Sequence, residues 1–320
     1  MGVAVPASPG DPTGLPATPS ARARAVAVIS DGSADASAEM SAEMSAELAE
    51  PRGAFGLVLR RYAALIRETA GLTTHVVTLE ASTPAGFAGL FSAALAGVGD
   101  EVAAVFLPHT DPARARLVAS SPTGPLVLTE WDSTAIALTA TLCTTLADAG
   151  RTAGASRVVI AGTERLPMLA PLLVAAGVGD LTAWRASDAA GFPLRRVAAG
   201  ANVVINLLGQ LPAVAALRAD HPDLVVITPD AGRDPLLALP GLLRAAVLAP
   251  RLELDVEVAY AAALALVMAT PPLATLPPGP HRGLSDQVAD AVIWALPCAA
   301  RHPCRQTRHP RPYPRRPDPT

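Results

Sequence analysis

Residues 125–136 read Pro-Leu-Val-Leu-Thr-Glu-Trp-Asp-Ser-Thr-Ala-Ile, and an apolar helical pattern then leads to Arg-Val-Val-Ile-Ala-Gly at 157–162. The stretch predicts a short strand at 125–128, a helix over 134–149 stopped by Gly150, and a strand at 157–161. After Arg157 the last strand is a run of apolar residues, which fits a strand covered on both faces rather than one facing water. Glycine after the final helical residue is the expected helix stop. Glu130 and Asp132 precede a helix expected to start near Ser133, where carboxylates favour the free amides of the first turn. One strand–helix–strand unit of this kind points to a parallel sheet.

The same alternation extends in both directions. On the N-terminal side, Ala25–Ile29 reads as a strand stopped by Ser30-Asp31-Gly32. A helix over 55–67, a strand at 75–79, a helix over 85–96 and a strand at 102–107 follow. On the C-terminal side, a helix over 166–176 ends at Gly177, and strands at 181–184, 202–207 and 224–228 have helices between them. Helices over 236–248, 256–268 and 286–295 close the pattern. The predicted fold class is therefore α/β: a smaller N-terminal α/β domain (21–132), then a Rossmann-like doubly wound parallel-sheet domain (133–297). Residues 1–20 read as a disordered leader, and 298–320 as a disordered Pro/Arg-rich tail whose native reading frame is open to question. Residues 37–48 repeat one tetrapeptide three times, which aligns Met40, Met44 and Leu48 along one helical row. That row is either a partner-binding face or a repeat expansion.

Composition narrows the function. Hydrophobic residues make up 51% of the chain, enough for a core, and aromatics only 3%, so Ala, Leu and Val supply the burial. A formal net charge of -3 argues against a general nucleic-acid binder. No apolar run approaches the roughly 20 residues that span a bilayer. Three cysteines do not suggest a disulfide framework, and a cytoplasmic setting is expected. No lysine occurs anywhere in the sequence, which excludes a P-loop.

Several pieces, in order and spacing, resemble malic enzymes. Val26–Ala34 resembles the family strand Val-Ala-Val-Val-Ser-Asp-Gly-Thr-Ala, and 58–80 runs beside the family's helix and next strand with the Ala70-Gly71 pair shared. Thr134-Ala135-Ile136 matches the end of His-Asp-Asp-Gln-His-Gly-Thr-Ala-Ile. Leu237-Ala238-Leu239-Pro240-Gly241 resembles the Leu-Ala-Phe-Pro-Gly near the end of the nucleotide domain. The resemblance implies NAD(P)-dependent oxidative decarboxylation of malate to pyruvate, with Mg or Mn, a catalytic lysine, a catalytic tyrosine and a glycine-rich dinucleotide turn.

The residues at those places differ. Glu130 stands at the family's aspartate metal ligand and is the candidate metal residue here. The family's upstream Glu-Asp pair falls near Leu107-Pro108-His109, with Asp111 close by as a substitute. One imidazole replaces two carboxylates poorly for a hard cation. The lysine position falls on Tyr62, a phenol of ordinary pKa about 10 and a feeble base, or simply an amphipathic helix residue. The tyrosine motif should precede Val26, where the leader holds no tyrosine. The dinucleotide turn reads Gly162-Thr163-Glu164-Arg165-Leu166-Pro167, keeping only the first glycine of Gly-Ala-Gly-Ala-Ala-Gly. Glu164 adds bulk and negative charge beside a phosphate, and Pro167 is expected in the first turn of the next helix. Gly162 and Thr134 remain the candidate cofactor-binding residues. Arg185 falls where an acidic residue would hold the ribose, which suits NADP. Asp230 and Asp234 lie at a strand's C-terminal edge, as ligand residues or as turn and capping residues.

The catalytic residues are left unassigned. The expected function is a malic-enzyme-like protein of impaired activity, a pseudoenzyme. Its alternatives are a non-catalytic oligomerisation or regulatory subunit, or a degenerate gene product. Expected partners are a second copy of the chain and a small organic acid, with neither nucleic acid nor membrane. Cys298, His302, Cys304 and His309 match no zinc spacing.

Overall fold

The computed structural model describes residues 25–33, 51–81, 83–99, 101–119, 124–209, 214, 216, 217, 221 and 223–297. The leader, the 37–48 repeat and the tail with its Cys and His residues lie outside them.

Two four-stranded sheets follow one another along the chain, and every pairing is parallel. The first holds β1 (Ala25–Ser30), β2 (Thr73–Thr78), β3 (Val102–Leu107) and β4 (Leu126–Thr129), in the order β2-β1-β3-β4. The second repeats that order with β5 (Arg157–Ala161), β6 (Asp180–Trp184), β7 (Val203–Asn206) and β8 (Val225–Ile227), as β6-β5-β7-β8. In each sheet the chain first winds one way and then crosses back, so a crevice opens at the carboxyl ends of β1 and β3, and of β5 and β7. Open parallel sheets place their ligands at such points.

The period-two alternation of the central strands accounts for the layers. In β1, Val26 and Val28 face one core while Ala27 and Ile29 face another with Phe87, Phe91, Val105 and Leu107. In β5, Val158 and Ile160 join the first of these cores, while Val159 and Ala161 pack with Trp184 and Val204 on the outer face. One continuous core therefore lies between the two sheets. Its filling comes from α1 (Pro51–Ala70), α4 (Glu130–Asp148), α7 (Asp234–Leu248), α8 (Val256–Ala269) and α9 (Arg282–Ala295). The remaining described helices are α2 (Pro84–Val98), α3 (Pro112–Ala119), α5 (Leu169–Ala175) and α6 (Leu194–Val197).

The α4 helix shows how this sequence fills such a core. Thr134, Thr139 and Thr144 are buried, yet each hydroxyl donates to the carbonyl four residues back, so no hydroxyl is stranded. The α7 and α9 helices approach closely because Gly241 has no side chain: a Cβ there would lie 2.5 Å from the Val288 Cβ. Arg244 of α7 donates to the Ala70 carbonyl at the end of α1 (2.9 Å) and pairs with Asp286 of α9 at 3.0 Å. The helices that close the second sheet are thereby tied to the first.

Most predicted elements are present with shifted ends, the junction helix among them, and two differ in kind. The junction helix begins at Glu130, four residues earlier than expected. Its cap is Thr129, whose hydroxyl accepts from the Asp132 amide while the Asp132 carboxylate accepts from the Thr129 amide. Glu130 is thus inside the helix and is not its cap. The predicted 166–176 helix is a 3-10 turn at Thr163–Arg165 followed by the short α5, so Pro167 precedes the helix instead of opening it. The α3 helix, unforeseen, starts where the Asp111 carboxylate accepts from the Ala113 and Arg114 amides. No helix among the described residues is long and apolar enough to cross a membrane.

Candidate functional site

Three positions far apart in sequence meet beside the first crevice. Tyr62 comes from the middle of α1, His109 from the loop after β3, and Glu130 from the first turn of α4. The Tyr62 Oη lies 3.4 Å from His109 Nε2, and their rings are 5.9 Å apart between centroids. The Tyr62 ring also meets the buried Phe106 edge-on at 5.3 Å. His109 is held in a left-handed backbone conformation (φ 49°) that non-glycine residues seldom adopt.

Burial sets the protonation of this group. The Glu130 side chain is almost sealed from solvent, and desolvation pushes its pKa up to about 7. A hydrogen bond from the His109 backbone opposes that rise. Desolvation lowers the pKa of His109, so the imidazole is neutral. The same effect, with the nearby Glu130 charge, raises Tyr62 above its ordinary value, and the exposed Arg61 offsets it only in part. None of the three groups is therefore a cation at neutral pH.

Around Glu130 the polar atoms are poorly satisfied. The Ser133 Oγ and the Trp131 Nε1 are buried with no hydrogen-bond partner among the described residues. Native interiors leave few such groups. Ser133 and Trp131 carry no pattern in sequence that would have singled them out.

Closer to the ends of β1 and β3 the crevice is filled by the protein itself. The buried Asp31 carboxylate pairs with Arg114, which also donates to the Ala81 carbonyl at 3.0 Å. Asp31 and Arg114 lie 83 residues apart, so no local motif announces the pair. Ser30 Oγ lies 3.4 Å from Thr110 Oγ1, and Ser33 Oγ accepts from the Asp111 amide at 3.0 Å. Asp111, expected as a substitute metal ligand, thus uses its carboxylate to cap α3.

The donor set decides which metal the site could hold. Glu130 supplies one carboxylate, with a phenol, an imidazole and a hydroxyl near it; hard divalent ions take several charged oxygens. Among the described residues no three His, Cys, Asp or Glu side chains gather into a metal cluster. This set does not fit Mg or Mn as the resemblance would have it.

The second crevice is likewise altered. Gly162 has φ +90°, as a tight turn after β5 requires. The space over it is taken by Leu208, whose Cδ2 would lie 2.7 Å from a Cβ placed on Gly162. A dinucleotide's pyrophosphate needs close backbone approach at such a turn. The following α5 starts only at Leu169, seven residues farther on, and its cap position makes no side-chain hydrogen bond. Its amides are too remote from the turn to cradle phosphate. Glu164 and Arg185 are both exposed, and the Arg185 amide donates to Asp188. Thr134 is buried with its hydroxyl bonded to the Glu130 carbonyl at 2.8 Å. The residues at this turn do not fit NAD or NADP in the usual manner. Asp230 and Asp234 act in the turn before α7: Asp230 Oδ1 accepts from the Gly232 and Arg233 amides, and Asp234 from the Asp230 amide.

Comparison with solved structures decides what this architecture is. An NAD-dependent malic enzyme from Thermotoga maritima superposes with a TM-score of 0.65 at 17% identity, over 91% of this chain and 95% of that one. This is the malic-enzyme fold. Malic enzymes from Pyrococcus horikoshii (TM-score 0.63, 16% identity, 85% of this chain and 76% of that) and Entamoeba histolytica (0.65, 17%, 86% and 70%) agree. No family model matches the sequence, and no curated protein matches it. The likeness is one of backbone architecture, at low side-chain identity.

Proposed function

We propose that this chain is a malic-enzyme-fold protein, by lineage an NAD(P)-dependent oxidoreductase for malate, that has lost oxidative decarboxylation. The observation that supports this best is Tyr62 at the place the resemblance assigns to the catalytic lysine. An ammonium group can take and return a proton near neutrality when its pKa is tuned. A buried phenol whose pKa rises further above its ordinary value cannot do so at useful rates. His109, neutral and 3.4 Å away, is a hydrogen-bond partner for that phenol but brings no carboxylate to the site. Glu130 remains as one acid where several oxygen ligands are wanted. The dinucleotide turn, with Leu208 packed against Gly162 and Glu164 in place of a glycine, supports the same reading from a separate crevice.

The chain's own residues therefore retain shape and burial more than reactivity. Malate-dependent reduction of NAD or NADP with Mg or Mn tests the reading. The expected result is turnover indistinguishable from a protein-free blank. A kcat inside the ordinary enzyme range of about 1–10³ s⁻¹ would contradict it.

A further inference from the structure

The α8 helix is apolar almost throughout, and Glu257 is its only charged residue. Helices that are apolar on every side are ordinarily buried on every side. One side of α8 meets the core through Val258, Ala259, Ala262 and Leu266. The other presents Leu264 and Met268, which are 41% and 85% exposed. With the half-buried Tyr260 they form a row spaced by four residues, so each is the next one's neighbour along the helix. The chain after the helix adds a second apolar group. Leu273 is 95% exposed and has a left-handed backbone, φ 66°. The Ala274 amide donates to the Pro271 carbonyl at 3.1 Å, and the ring of Pro272 fixes its own φ as negative. This is a type II turn with leucine at the position that favours glycine or asparagine. The turn is tied down on both sides: the Thr270 hydroxyl donates to the Leu266 carbonyl and the Thr144 hydroxyl to the Thr275 carbonyl, each at 2.7 Å. A strained backbone that holds an apolar side chain in water does nothing for the isolated chain. Strain of this kind gathers where function uses it.

We propose that this row of α8, with the turn at 271–274, is a docking surface for a second copy of the chain, the two α8 helices lying antiparallel about a two-fold axis at Leu264. Charge selects the occupant. No arginine or lysine occurs from 256 to 281, so the surface offers nothing to an anionic membrane, a nucleic acid or an acidic peptide. Pairing about Leu264 sets Met268 of each copy against Tyr260 of the other, and a thioether beside an aromatic ring is a favourable contact. It sets each Glu257 opposite the uncharged turn that begins at Pro271. The two Glu257 residues then lie about 21 Å apart along the helices, beyond the screening length of about 8 Å at physiological salt. A row of period four also fits the groove between the same rows of a like helix. One helix face and one turn fall short of the roughly 800 Å² that each partner gives to a stable interface, so the dissociation constant is on the order of 10 μM. Self-association of this kind is independent of the proposed loss of catalysis and is measured without turnover.

The test is sedimentation equilibrium of the full chain between about 1 and 100 μM. A monomer–dimer equilibrium is expected, and added sodium chloride should not weaken it, because the contact is apolar. Met268→Glu should raise the dissociation constant at least tenfold, and Leu273→Asn about tenfold. Both side chains are exposed, so neither substitution removes core packing. Leu273→Asn should also leave the melting temperature of the dilute protein unchanged or higher, since asparagine tolerates the left-handed position of the turn. A chain that stays monomeric at every concentration overturns the proposal, whether or not it floats with neutral phosphatidylcholine vesicles; flotation would assign the surface to lipid. Association that Met268→Glu leaves unchanged also overturns it. So does a Leu273→Asn variant whose dilute melting temperature falls while its dissociation constant stays the same, because Leu273 would then serve the fold alone.

Discussion

At the level of single residues, Glu130 dominates the behaviour of the site. Its folded-state pKa of about 7 lies above the ordinary carboxylate value of 4.5, because burial penalises the charged form. The folded protein therefore binds that proton more tightly than the unfolded chain. The resulting stability is fully present below about pH 4.5 and is lost as pH rises through about 7. His109, with its pKa lowered, acts in the opposite sense and withdraws stability as pH falls below its ordinary value of 6.5. Comparing the wild type with Glu130→Gln isolates the first effect. Chemical denaturation in tetramethylammonium buffers should show the variant gaining relative stability between those limits, by on the order of 3 kcal/mol at the upper end. A constant difference across that pH range would contradict the burial argument. Tyr62 shows the limit of sequence reading at this scale. The resemblance placed it opposite a lysine, but only the fold shows that it meets His109 and Glu130.

Among the elements, the close crossing of α7 and α9 is the most exacting contact. Gly241 sits against the Val288 side chain and the Ser285 carbonyl, and a Cβ would lie 2.8 Å from that backbone oxygen. Backbone cannot yield as a side chain can. Gly241→Ala should therefore destabilise by about 1–3 kcal/mol through overpacking, despite alanine's better helix propensity. The midpoint of denaturant unfolding measures it, and an unchanged or higher midpoint would refute the packing argument. Element type was legible wherever burial followed a simple rule. The unbroken apolar runs at 25–29 and 158–161 are central strands covered on both faces, as their composition required. Turn chemistry was less legible. Thr129 and Asp132 cap each other, which moves the start of α4 to Glu130 and turns an expected cap into a buried acid. The degraded turn after Gly162 could be recognised from Glu164 and Pro167. That Leu208 covers the glycine depends on a strand 40 or more residues later, and no local pattern contains it.

Over the whole molecule, two parallel sheets of identical strand order share one core, and the arrangement is that of malic enzymes. Backbone topology tolerates extensive exchange among Ala, Leu and Val as long as pattern and volume persist. Catalysis does not, since it needs particular groups at particular places. That asymmetry explains how the resemblance could reveal the fold while the residues at the site argue against the reaction. It also explains what remained hidden: the Asp31–Arg114 pair and the unpartnered atoms around Glu130 join distant segments or arise from burial. The proposed loss of catalysis predicts that this scaffold does not move protons on a small organic acid. Exchange of the pyruvate methyl protons in deuterated water, followed by proton NMR with magnesium and no dinucleotide, addresses that step alone. The account predicts a rate equal to that of buffer without protein; faster exchange that falls in Tyr62→Phe would contradict it.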